Sequence, residues 1–358
     1  MTSVVALSTA DSRRPAVSIA TEADSAAWEA YVSDHPDSSG YHAWAWRGVF
    51  ERAFGHGSIY LIAHGADGLE RRAIRGVLPL VQINSLIFGR TLTSLPFLNY
   101  GGVVSDSDTE ASALVDAAAE LAREKRCRHV ELRHSARRFP QLPCKQHKVA
   151  MLLRLHSRLW DALDRKVRNQ IRKAQKSGLT SIHGGKELLG DFYAVFARNM
   201  RDLGTPVYAR RFFDEVLSAF PGRAQLHVVR LSSRPIAAGL TYRTRTRVEV
   251  PWASSIRDHN ALCPNHLLYW SILESAIAEG AAVFDFGRST PNEGTFHFKR
   301  QWGAEPVPLF WEYCLVGQPE LPDQSPKNPK FKIAVEMWRR CPLWLANLVG
   351  PYIVRSIP

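Results

Sequence analysis

Cysteine is scarce in this chain, and what there is does not pair up. Five cysteines in 358 residues (Cys127, Cys144, Cys263, Cys314 and Cys341) are odd in number and scattered. That excludes a small disulfide-stapled scaffold and fits reduced thiols. Two Cys-x-x-His pairs occur, Cys144/His147 and Cys263/His266, but neither has a second Cys pair at zinc-site spacing, so no metal site is expected. Long hydrophobic runs are missing too. No stretch approaches the roughly 20 apolar residues a membrane-spanning helix needs. Residues 1–20 offer only Val4–Leu7 as an apolar run, and Arg13 and Arg14 follow it instead of preceding it. This is not the pattern of a secretory signal; the expectation is a cytoplasmic chain whose residues 1–16 are disordered.

What is present is the composition of an ordinary globular protein, 45% hydrophobic and 22% charged. A length of 358 residues is more than one core usually supports, so about two domains are expected. The net charge of +12 is uneven: residues 121–176 hold 17 Lys/Arg against 4 Asp/Glu, and the remainder is close to neutral. A basic excess confined to one block implies an anionic partner such as phosphate, nucleic acid or an acidic membrane surface, or else a solvated basic face.

That block peaks in Leu159–Lys176, where Trp160, Leu163, Val167, Ile171 and Ala174 recur at spacings of three or four, predicting a helix with one apolar stripe. Arg168, Arg172 and Lys173 lie outside the stripe, where guanidinium groups can grip phosphates. On either side the chain follows one order twice. Two helices precede three strands, then a helix, a strand, a short helix and a strand, which is an α+β arrangement. In the second half the helices are expected over 186–201 and 209–220, the strands over 225–231, 235–243 and 247–253, and a further helix over Pro264–Glu279, ended by Gly280. The expected domains are 17–157 and 158–317, the second opened by the basic helix. The tail, 318–358, begins with a Pro-rich linker and continues with a basic amphipathic stretch, Phe331–Arg340. Cys341–Val354 then carries no charge; it suits either a membrane interface or a helix packed on the core.

The most informative stretch is Phe284-Asp-Phe-Gly-Arg-Ser-Thr290, followed by Gly294-Thr-Phe-His-Phe-Lys-Arg-Gln-Trp-Gly303. It reads as a short buried strand ended by Gly287, then an aromatic-anchored segment carrying Lys299. Asp285, Arg288, Ser289 and Thr290 at a strand end beside Lys299 are the parts of a substrate site on a rigid scaffold.

Together with Pro96-Phe-x-x-Tyr100-Gly-Gly102, Lys166-x-Arg168-x-x-Ile-Arg172-Lys-Ala-x-Lys176-x-Gly178 and Pro264-Asn-His-Leu-Leu-Tyr-Trp270, this stretch resembles the GNAT acyltransferase superfamily, in particular the FemA/FemB/FemX branch. The resemblance covers roughly residues 17–316 and implies two tandem GNAT domains with mixed, mostly antiparallel sheets. The tail is similar to that of a FemAB-like subgroup associated with exosortase/PEP-CTERM and exopolysaccharide loci. The resemblance implies acyl transfer by direct attack in a ternary complex, from an aminoacyl-tRNA or an acyl-CoA, with no tightly bound cofactor. The implied acceptor is an anionic glycan or a lipid-linked diphosphate of peptidoglycan or exopolysaccharide synthesis, with peripheral contact at the inner membrane surface. An acetyl-CoA-dependent sugar acetyltransferase and a non-catalytic RNA- or membrane-binding scaffold are the alternatives. It assigns Lys299 to an acceptor anion or the developing oxyanion, with Arg288 beside it. Asp285 is either a proton acceptor or the partner of Arg288. Asn99, Tyr100, Asn265, Tyr269 and Thr290 are candidate substrate contacts, as are the phosphate-gripping Arg168, Arg172 and Lys173. In GNAT proteins a splayed central strand holds the donor carbonyl; here that is Arg247–Ala253. The loop after it, Ser254–Cys263, lacks the glycines that usually cradle the pyrophosphate of CoA.

Overall fold

The computed structural model describes residues 15–65, 73–85, 88–317, 320–322 and 329–357. The expected disordered start and much of the Pro-rich linker lie outside these residues. The chain forms two compact units. Unit 1 holds residues up to Lys145 and takes back Leu309–Leu321; unit 2 holds Gln146–Pro308 and Pro322–Arg355.

In unit 1, β1 (Val17–Ile19) is followed by α1 (Ser25–Asp34), α2 (Trp46–Phe54), β2 (Gly57–His64), β3 (Ile74–Ser85), β4 (Gly89–Thr93), the two-residue β5 (Val104–Ser105), α3 (Asp108–Glu124) and β6 (His129–His134). The helix α3 starts where Ser107 Oγ accepts from the Thr109 N–H at 3.1 Å, an N-cap. Its apolar face buries Leu114, Ala118 and Ala122 against Leu78, Leu80, Leu92 and Val130.

Unit 2 contains β7 (Cys144–Arg154), α4 (Leu159–Ala162), α5 (Arg165–Lys176), β8 (Leu179–Gly184), α6 (Leu189–Leu203), α7 (Arg210–Ala219), β9 (Ala224–Leu231), β10 (Arg234–Thr244), β11 (Arg247–Ser255), α8 (Pro264–Ala278), β12 (Val283–Ser289) and α9 (Gly294–Arg300). After β13 (Glu305–Leu315), whose residues from Leu309 belong to unit 1, the chain ends in α10 (Pro329–Arg340) and α11 (Leu343–Val354).

Each unit repeats the other. In unit 1 the strands run β1-β2-β3-β4-β6-β13, antiparallel except for β4 with β6. In unit 2 they run β8-β9-β10-β11-β12-β7, antiparallel except for β11 with β12. The single parallel pair falls at the fourth and fifth strands both times, so the expected mixed, mostly antiparallel architecture is present in tandem.

Three departures from the sequence expectation have physical causes. The units part at 145/146 instead of 157/158, because β7 pairs with β12 of unit 2; the basic helix is therefore preceded in its unit by a strand. The predicted helix 159–176 is broken: Leu163 is extended, and Asp164 caps α5 by accepting from the Lys166 N–H at 2.6 Å. Asp164 thus starts a new helix as its N-cap. The strand β8, short and half-exposed, was not expected. In the tail, α11 buries Ala346, Gly350 and Val354. Arg201 of α6 donates from Nη1 to the Cys341 carbonyl at 3.0 Å, so the tail is packed on unit 2.

Candidate active site

The site in unit 2 begins with a bulge. The pairing of β12 with β7 shifts register between Asp285 and Arg288, and Gly287 sits there at φ 73°, a left-handed conformation that glycine adopts without a side-chain clash. Asp285 is fully buried and its Oδ1 accepts from the Gly287 N–H at 2.8 Å, so the carboxylate shapes the bulge. The turned backbone presents two carbonyls to Lys299, whose Nζ donates to Gly287 O at 3.1 Å and Arg288 O at 3.0 Å. Phe296 and Lys299, three residues apart on α9, share its buried face, so the aromatic anchor also inserts the amine. Burial is the main influence on that amine. It lowers the Lys299 pKa from 10.5 to about 8; Asp285 and Glu249 pull it back up, while Arg288 pushes it further down. At neutral pH Lys299 is a cation, 7% exposed, with one of its three N–H groups beyond the two carbonyl bonds.

Beside this end of β12 the central strands separate. The parallel ladder of β11 with β12 covers Arg247–Glu249 against Val283–Asp285. Past it β11 stays with β10, with a register shift opposite Leu240 and Tyr242. The edge of β11 beyond Glu249 is thereby released from β12, and backbone N–H groups so released need another acceptor. Unit 1 has the same junction, with Leu92 and Thr93 parallel to Val130 and Glu131, but closes it with its own chain. The Ser94 N–H donates to Glu131 O at 2.8 Å and the Gly101 N–H to Arg133 O at 3.1 Å. Arg133 Nη1 donates to Leu98 O at 3.0 Å, and the Val103 N–H donates to His134 Nε2 at 2.9 Å. The strained residues Leu95 (φ 49°) and Phe97 (φ 70°) belong to this plug.

An open cavity of about 870 Å³ in unit 2 is lined by Lys166, Gln170, His266, His297, Arg300 and Gln301, among others. His266 stacks on Trp302, with ring centroids 5.9 Å apart, and lies 3.3 Å from Gln301 Nε2. Burial first, then Lys166, lowers its pKa to about 4, so it is a neutral imidazole at pH 7. Two further lining residues have buried polar atoms without partners, Gln170 Oε1 and Trp302 Nε1. Two cations with an unused donor and acceptor suit an anionic, hydrogen-bonding ligand.

The structure brings Asp285, Arg288 and Lys299 together. Thr290 is close in the chain, its Oγ1 accepting from Lys148 Nζ at 2.7 Å. Asn265 ties the start of α8 to the end of β11, Nδ2 donating to Ser255 Oγ at 2.8 Å, while Asn199 Nδ2 donates to Ser254 Oγ at 3.0 Å; both serines, expected in the glycine-free loop, lie in β11. Tyr269 is a core residue, its ring 5.2 Å from Phe286 and 5.4 Å from Phe298, and burial raises its pKa. On α5, Arg172 and Lys173 face solvent and Arg168 is half-buried with Nε unpartnered; Arg172 lies 5.4 Å over the Trp160 ring. Asn99 and Tyr100 sit in the plug of unit 1, 6% and 5% exposed. Gln170, Arg300 and Lys148 were not expected from the sequence, and His266 was met only in a Cys-x-x-His pair. His266 had a signal: it stands inside the quoted Pro264-Asn-His motif, where its spacing to Cys263 drew attention to metal instead.

Residues 162–300 match the family profile of the acetyltransferase (GNAT) domain. Among solved structures, FemX aligns with a TM-score of 0.65 at 16% identity, over 85% of this chain and 98% of its own. A conserved protein of unknown function from Bacteroides thetaiotaomicron aligns at 0.58 and 10% identity, over 84% and 99%. A tandem GNAT protein from the clavulanic acid biosynthesis pathway aligns at 0.56 and 10% identity, over 86% and 100%. At such identities the likeness is one of fold, and the fold is a tandem GNAT fold. No curated protein sequence matches the chain.

Proposed function

We propose that unit 2 transfers an acyl or aminoacyl group to an amine or hydroxyl of a cell-envelope precursor, by direct attack in a ternary complex. The observation that carries this reading is the parting of β11 from β12 beside the buried cation Lys299. The donor carbonyl accepts from N–H groups on the released edge of β11, and the remaining N–H of Lys299 meets the developing oxyanion or an acceptor anion. Fixed donors in a site of low dielectric act where charge appears in the transition state. The acceptor nitrogen bonds to the carbonyl carbon, the ester or thioester bond of the donor breaks, and the proton released from nitrogen ends on the departing oxygen or sulfur.

An aminoacyl-tRNA is the favoured donor, because the loop Ser254–Cys263 has no glycine to cradle the pyrophosphate of CoA. The donor is a substrate, and no tightly bound cofactor enters the chemistry. Lys166 and Arg300 in the cavity, with Arg168, Arg172 and Lys173 on α5, supply charge for a tRNA backbone or an acceptor diphosphate. Likeness of the tail to PEP-CTERM-associated proteins supports an exopolysaccharide precursor over a peptidoglycan one. The chain then works in the cytoplasm on precursors at the inner membrane face. The test is incubation with aminoacyl-tRNA or acetyl-CoA and a lipid-linked precursor, followed by the mass of the precursor. A gain of one aminoacyl group supports the reading, acetyl transfer redirects it to acyl-CoA, and no product from any donor refutes it.

A further inference from the structure

Of eight large apolar residues that stand exposed among the described residues, six belong to the last two helices. Ile333 and Met337 of α10 are 74% and 69% exposed; Trp344, Leu348 and Tyr352 of α11 are 69%, 59% and 64% exposed, with Val349 alongside. Intervals of four residues put each set on one face of its helix. The other faces hold the helices to unit 2. A Cβ on Gly350 would stand 2.9 Å from the Val207 backbone nitrogen, and one on Gly204 would stand 2.6 Å from Val335 Cγ1. The outward apolar stripes therefore play no part in fixing the tail.

Charge indicates what covers them. Residues 329–355 contain Lys330, Lys332, Arg339, Arg340 and Arg355 against Glu336 alone. The Arg340 side chain is 80% exposed, and the Arg355 guanidinium lies 5.4 Å over the Tyr352 ring. Trp, Leu and Tyr on one face of α11 with Arg355 at its end, and the exposed cations Lys332 and Arg340 on α10, suit helices lying in a membrane interface. Spanning is excluded for α11: its 12 residues make a rod of about 18 Å, and a hydrocarbon core is about 30 Å thick. We propose that α10 and α11 dock unit 2 on an anionic lipid surface, the apolar stripes in the headgroup boundary and the cations against lipid phosphates. This does not depend on acyl transfer, and it would hold the chain beside lipid-linked substrates.

The full chain is sedimented with vesicles of phosphatidylcholine alone or mixed with phosphatidylglycerol. The expected result is partition onto the mixed vesicles that weakens with added salt and falls at least about tenfold in the Trp344→Ser/Leu348→Ser/Tyr352→Ser variant. Lys332→Glu/Arg340→Glu, which leaves the apolar stripes intact, should weaken it as well, so the proposal does not hang on one variant's folding. A wild-type chain that stays in the supernatant, or that sediments as well as both variants, overturns the proposal. So does equal partition onto pure phosphatidylcholine, or a dimer abolished by the triple substitution without vesicle binding.

Discussion

Replacing Lys299 by Met keeps an unbranched side chain as far as Cε and removes the amine. Two opposing effects on stability follow. The drop in pKa from 10.5 to about 8 means that the folded state disfavours the cation by about 3 kcal/mol, and this penalty vanishes with the charge. Against it, the Gly287 and Arg288 carbonyls lose a donor, at about 1–3 kcal/mol for a buried group left unsatisfied, and Asp285 loses a neighbouring cation. These terms are of similar size, so the free energy of unfolding in urea should change by less than about 2 kcal/mol. Activity should respond differently, because loss of one positioned donor to a developing oxyanion costs about 100- to 1,000-fold in kcat. Urea denaturation and steady-state transfer on the same preparation separate the two. Parent-level kcat would refute a role for the amine in the reaction. A stability loss above about 4 kcal/mol, with activity tracking the folded fraction, would make Lys299 only a latch for the bulge.

Further expectations are independent of that variant. As pH rises, transfer should decline above about pH 8 when Lys299 loses its proton, and the pH–rate profile of Lys299→Met should lack that limb. Stability moves the other way: between about 8 and 10.5 the unfolded chain binds more protons at this site than the folded one, so this residue's contribution rises with pH. That is measurable as the difference between wild type and Lys299→Met in urea melts across the window. Gly287→Ala forces a Cβ into φ 73° and should cost about 1–2 kcal/mol; an unchanged melting temperature would contradict the bulge geometry. Ile171→Ala empties a fully buried position on α5, for a loss of about 2–5 kcal/mol in a urea melt. Glu131→Ala leaves Arg133, 1% exposed, with its Leu98 carbonyl but without the carboxylate at 2.7 Å. The expected loss is about 3–5 kcal/mol, and a loss under about 1 kcal/mol would show the pair to be solvated.

Features set by local pattern were legible in the sequence. Val167, Ile171 and Ala174 announced the buried face of α5, and Pro264 and Gly280 bracketed α8; Gly287, expected to end its strand, is instead a bulge inside β12, which continues to Ser289. The repeated order of elements gave the tandem architecture. Features set by distant pairing were hidden. Nothing local in β7 shows that it pairs with β12, and nothing in Asn99 or Tyr100 shows that their loop plugs a strand junction. The cavity was hidden for the same reason, because Lys166, His266 and Arg300 come from three separate helices. Asp285 was legible as important but ambiguous in role. Its bond to the Gly287 N–H assigns it to shaping the backbone that receives Lys299.

In the proposed reaction the donor carbonyl lies where β11 leaves β12 in unit 2. Hydrogen–deuterium exchange with a non-reactive analogue of whichever donor gives product tests it directly. Slowed exchange in residues 250–255 of β11 and 287–290 at the end of β12 is the predicted result. Unchanged exchange there at saturating analogue, with protection confined to the plugged junction of unit 1 at residues 94–103, would contradict it.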